Sequence, residues 1–147
     1  MAGFETQAFS EAVEVLGIIP PASYTTAQTT AARIPMSGHS RVVVMAFTGL
    51  IAASGTLDLK VEQANALTSG TVKAITGKAI TQLTDTGDNK VLMIEILSSE
   101  LDVSNGFNWL VVTATPATAA SLLCVAVLGV DARYAPVGKT NVHQVVL

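Results

Sequence analysis

Residues 107–130, FNWLVVTATPATAASLLCVAVLGV, hold the only Trp and the only Cys of the chain and not one charged side chain. A run of this length without charge has to be buried, and the form it takes limits what the rest can be. A helix crossing a bilayer needs roughly 20 mostly apolar residues. Pro116 sits in the middle of the run, where it would remove a helix hydrogen bond, and Thr113, Thr115, Thr118 and Ser121 around it are poor helix formers. Trp109 to Thr115 and Leu122 to Val130 are rich in β-branched residues instead. The run therefore reads as two strands joined by a short Pro/Ala/Thr connection, each buried on at least one face and too short to span a membrane alone.

Other segments repeat the β pattern. TLDLKVE at 56–62 alternates, with Leu57, Leu59 and Val61 facing a core and Asp58, Lys60 and Glu62 facing water. RVVVMAFT at 41–48 is apolar on both faces, as expected of a central strand covered on both sides, and KVLMIEIL at 90–97 is a further core strand. Shorter strands are expected at 24–30, 72–75 and 78–83, with turns at 35–38, at DTGDN (85–89) and at Asn105-Gly106, where both residues tolerate positive φ. Around Ser10 to Gly17 the residues fit either one or two helical turns or a short edge strand. Seven or eight short strands with at most one weak helix make the fold class all-β: a two-sheet antiparallel sandwich, jelly-roll or related Greek key, with extended termini. The expected division is an N-terminal arm or lead-in over 1–35, a sandwich over 36–134 and a C-terminal tail over 135–147.

Half of the 147 residues are hydrophobic and 13% are charged, against about 25% charged in ordinary soluble domains. A chain so short of charge is expected to bury part of its outside against other chains, as a dimer, a trimer or a larger assembly. The net charge of −3 comes without a basic cluster, which speaks against direct contact with nucleic acid. No basic region followed by an apolar run opens the N-terminus, so synthesis and assembly in a cytoplasm are expected, with no membrane partner.

Chemistry is sparse. Cys124, inside LLCVAV, has no second Cys to pair with and fits a small core residue rather than a nucleophile. His39 falls in an expected turn and His143 in the tail; with no Cys/His cluster, no metal site or cofactor is expected. Phosphate loops and nucleophile elbows are lacking too, so no catalytic residue is assigned. Glu95 is read as the solvent-facing member of its strand, and Glu100 and Asp102 as loop carboxylates making local hydrogen bonds. Interface candidates are Trp109, Arg133 and Tyr134. Trp109 fits the core first and a stacking platform second; Arg133 either pairs with Asp131 or, with Tyr134, meets a neighbouring chain.

GTLDLKVEQA at 55–64, SSELDVSNGF at 98–107 and LGVDARYAP at 128–136, in that order and spacing, resemble small proteins of tailed-bacteriophage and prophage structural gene clusters. The likeness covers roughly the last two thirds of the chain. It implies a virion component, most closely a head decoration or cement protein, with the major capsid protein as partner and the capsid surface as location. Two other roles stay open: a tail or head-completion protein, and a carbohydrate-binding module that stacks sugars on Trp109 or Tyr134.

Overall fold

A computed structural model describes residues 8–30, 32–134, 137–138 and 141–146. A one-turn helix α1 (Phe9–Ala12) leads into ten strands: β1 (Glu14–Tyr24), β2 (Gln28–Thr29), β3 (Ile34–Pro35), β4 (His39–Ile51), β5 (Thr56–Ala64), β6 (Val72–Ala79), β7 (Leu83–Thr84), β8 (Val91–Leu97), β9 (Trp109–Ala117) and β10 (Ser121–Ala132). Two 3-10 turns, Ser98–Glu100 and Val103–Asn105, separate β8 from β9, and Gly106 closes the second at φ 82°, a conformation glycine adopts without strain.

The strands form two antiparallel sheets. One runs β1-β10-β4-β8; the other runs β2-β9-β5-β6, with β3 also on β9 and β7 also on β5. Taking β2 with β3 and β6 with β7 as two interrupted strands leaves eight, arranged 1-8-3-6 against 2-7-4-5. This is a jelly roll.

The core lies between the sheets and follows the two-residue period of each strand. Val42, Val44 and Ala46 of β4, Val125 and Val127 of β10, and Ile94 and Ile96 of β8 meet Leu57, Leu59 and Val61 of β5 and Leu110, Val112 and Ala114 of β9. Burying a side chain of this size contributes about 1.5–3 kcal/mol, and this layer holds the sheets together. Side-chain bonds tie down the loops. Gln63, itself buried, accepts the Asp102 N–H at 2.8 Å, while the Arg33 guanidinium donates to the Ala66 carbonyl at 2.6 Å and the Gly70 carbonyl at 3.1 Å.

Several expectations need correction. Pro116 lies inside β9, buried and opposite Leu57, and the break falls at 118–120. A proline is tolerated there because β2 pairs with β9 only as far as Ala114, so that flank of the strand is open at Pro116. The stretch 1–35 is not an extended arm from Glu14 onward: β1 is an edge strand paired along β10, preceded by α1, so helix and strand follow one another. Residues 1–7 lie outside the described residues. The expected strand at 78–83 is divided between β6 and β7. The tail is not free where it is described: Val137 is buried with its N–H on the Glu11 carbonyl, and Asn141 donates to the Val15 carbonyl at 2.8 Å.

The sequence places His39 in a turn, yet it opens β4 as a buried residue. Its imidazole lies over Gly129, where an added Cβ would stand 2.6 Å from the ring. Gly129→Ala should therefore destabilise the fold by about 1–3 kcal/mol through overpacking, read as a lower urea midpoint at unchanged slope.

Candidate interaction surface

The two sheets present unlike outer faces. On the β9-β5 side, Thr113, Thr115, Asp58, Lys60 and Glu62 point away from the core. That face is wet. On the other sheet the outward residues are those left over from the buried set: Val43, Met45 and Phe47 of β4, Cys124, Ala126 and Leu128 of β10, Val91, Met93 and Leu97 of β8, and Ile18 of β1.

Strand register arranges these residues in rows. Ile18, Ala126, Met45 and Met93 lie side by side, followed on one side by Cys124, Phe47 and Val91 and on the other by Val15, Leu128, Val43 and Glu95. Val91 and Met93 are each 59% exposed, and Phe47 43%. With strands about 4.8 Å apart and about 3.3 Å per residue, the face measures on the order of 20 by 26 Å, roughly 500 Å² in plane. That reaches the upper range of the largest apolar patch on ordinary monomers, which is about 300–600 Å².

Charge is confined to one end. The Arg41 guanidinium stands 2.8 Å from the Glu95 carboxylate and 3.1 Å from that of Asp131. Asp131, at φ 51°, adopts a left-handed backbone that an Asp tolerates. Near the opposite end, Pro21, Phe47, Leu122 and Cys124 line a shallow groove of about 330 Å³. Cys124 is thus not a core residue: it is half-buried and faces outward, because the period of β10 gives the inner side to Leu123 and Val125.

The sequence candidates lie elsewhere. Trp109 begins β9 beside Pro35 and Ala64, half-buried on the outer side of the strand. Together with Arg133, Asn108, Ser98, Met36 and Leu101 it lines an open cleft of about 490 Å³ at one end of the sandwich. The Arg133 N–H donates to the Gly38 carbonyl at 2.9 Å, and the partner of Asp131 is Arg41. Tyr134, 83% exposed, is not among the residues lining that cleft.

The carboxylates behave as local ties. Glu100 accepts the Leu97 N–H at 2.8 Å, which with the Lys78 ammonium holds its pKa below the usual 4.5. Asp102, bonded by Lys73 and by both contacts of the Asn105 amide, is held below 3.8. Among the described residues no group of three His, Cys, Asp or Glu side chains is placed to hold a metal ion, and no helix is long and apolar enough to cross a membrane.

No protein-family model matches the chain, and no curated protein matches it. Solved structures with a related arrangement include the CBM22-1 xylan-binding domain of Paenibacillus barcinonensis Xyn10C, 15% identical, with a TM-score of 0.42 over 83% of this chain and 90% of that one. A second CBM 22 xylan-binding domain gives 12% identity and a TM-score of 0.39 over 87% and 91%. The structure of infectious bursal disease virus, Gt strain, gives 6% identity and a TM-score of 0.29 over 88% and 46%. Likenesses this distant assign neither ligand nor role to this chain.

Burial pushes the His39 imidazole below its ordinary 6.5, and the Glu14 carboxylate 3.5 Å away opposes this in part. The unfolded chain therefore takes up a proton at His39 before the folded one does, so stability is complete above pH 6.5 and falls as pH drops through that value. Glu100 and Asp102 lose their contribution only at more acid pH, below their unfolded values of 4.5 and 3.8. In urea titrations across pH, His39→Gln should flatten the loss that begins near 6.5 and leave the lower one.

Proposed function

We propose that this chain is a structural protein of a tailed-phage head, a decoration or cement protein that binds the outer surface of the shell and stabilises contacts between major capsid protein subunits. The observation that carries the reading is the unequal pair of outer faces. A jelly roll has one inner face per sheet, so the apolar outer side of β10-β4-β8 is surface that water covers at a cost of about 25 cal/mol per Å². A protein built for assembly gains by that arrangement, whereas a free-standing enzyme would need convergent polar groups in a cleft. The resemblance of residues 55–64, 98–107 and 128–136 to phage structural proteins supplies the kind of assembly.

Quantitative mass spectrometry of purified particles tests the reading. A copy number equal to that of the major capsid protein, or a simple fraction of it, is the expected outcome. A handful of copies per particle would point to a tail or head-completion role, and absence from the particle would overturn the virion reading.

The cleft at Trp109 supports a second reading, a carbohydrate-binding module. Trp109, Arg133 and Asn108 are among the residues lining an open space large enough for a sugar residue or two. Titration with a broad glycan panel while following Trp109 fluorescence should give a saturable change under this reading, lost in Arg133→Ala, which keeps the reporter; silence across the panel would dismiss it.

A further inference from the structure

We infer that the apolar outer face of the β1-β10-β4-β8 sheet is a two-fold interface between two copies of this chain, packed sheet on sheet. The inference rests on this surface alone and stands whether or not the protein belongs to a virion; in a virion it gives the apolar face to pairing of copies and leaves contact with the shell to the remaining surface.

Both edges of the sheet are blunted against strand addition, which favours the face. Along β1 the run Pro20-Pro21 lacks amide donors, and the pairing is broken between Val15 and Gly17 and again between Ile19 and Ala22. At β8 the Lys78 ammonium caps the Glu95 carbonyl at 2.7 Å. Both are devices that blunt an edge.

The face fits its own copy. Stacked sheets pack about 10 Å apart with strands nearly aligned; a two-fold axis along the strands meets this and gives the side-chain match that follows. Such an axis reverses strand order while keeping each row at its level, and it sets β4 of one copy over β10 of the other. Met45 then meets Ala126 and Phe47 meets Cys124, so the two largest side chains of β4 fall on small ones of β10, as interdigitating layers require, while Val43 meets Leu128. Phe47 of the second copy arrives over the groove that Pro21, Leu122 and Cys124 line.

Charge agrees with the same axis. Arg41 and Val130 share a row and Asp131 follows Val130, so Arg41 of each copy comes to the Asp131 end of the other. Both sets of charges lie on one rim, each cation facing a carboxylate. The area agrees as well: covering the face on both copies removes about 1,000 Å² or more, the lower bound for a specific interface, which fits a reversible dimer.

Sedimentation velocity of the full chain over a micromolar concentration series tests this. Wild type should pass from monomer to dimer, and Met45→Glu, which puts a charge at the centre of the face, should weaken the dimer by roughly a hundredfold or more. Arg41→Asp and Asp131→Arg should each be monomeric alone, because both copies then present like charges across the axis. Mixed together they should form a heterodimer, since every cross-axis pair regains opposite signs. A monomeric wild type throughout, or a mixture that stays monomeric, overturns the inference. Alkylation of Cys124 gives a second measure that does not depend on any variant: its rate should fall as wild-type concentration rises, and a constant rate overturns the inference equally. Particle copy number is unaffected by either result, so failure here is distinguishable from failure of the decoration reading.

Discussion

The sandwich depends on one crossing. β9 and β10 follow each other in sequence, yet each is an inner strand of a different sheet, and the chain passes between layers within residues 118–120. Thr118, at φ 66°, makes the sharp change of direction, and Ala52 donates its N–H to the Ala120 carbonyl to fix the corner against the end of β4. Because Leu110, Val112 and Ala114 face Val125 and Val127 across the core, the uncharged segment supplies both walls of the interior at its middle. The other strands dock against these two: β1 and β4 on β10, β2, β3 and β5 on β9.

Period decided how much of this could be read in advance. TLDLKVE is legible because one side is charged, so a single alternation assigns every residue of β5 to a face. β4 and β8 are harder. RVVVMAFT and KVLMIEIL are apolar on both sides, which a sequence reader takes for double coverage, and a two-layer sandwich can cover only one. That conflict between strand pattern and architecture was itself the signal of an outside surface, and it was visible in the residues. Cys124 is illegible for the same reason: within LLCVAV nothing distinguishes the inner alternation from the outer, and only the register with β4 settles it.

Other features depend on partners far along the chain, and local preference could not supply them. Pro116 reads as a break until the shortness of β2 is known. EVLGIIPPASY does not look like a strand, and it is held as one by β10, whose Val125 and Leu128 lie opposite Ile19 and Val15. His39 follows Ser37-Gly38, so a turn was the natural reading; the room for its ring is made by Gly129. The cleft at Trp109 joins residues from β3, the 3-10 turns, β9 and the end of β10, four places with no common motif. Trp109 and Arg133 were legible as residues of interest, but their sharing of one cleft was not.

The pairing of β1 with β10 sets an order of events during synthesis. The first strand of the sandwich has its hydrogen-bonding neighbour near the other end of the chain, and the bond from Asn141 to Val15 spans 126 residues. Until β10 has left the ribosome, β1 and β4 have no strand between them, and the inner sides of both are open to water. Closure therefore comes late and all at once, after a long loop has been drawn together. A nascent chain in that condition exposes Ile19, Val42 and Val44 to any neighbour, so the Pro20-Pro21 run that blunts the β1 edge in the finished protein also guards the unfinished one.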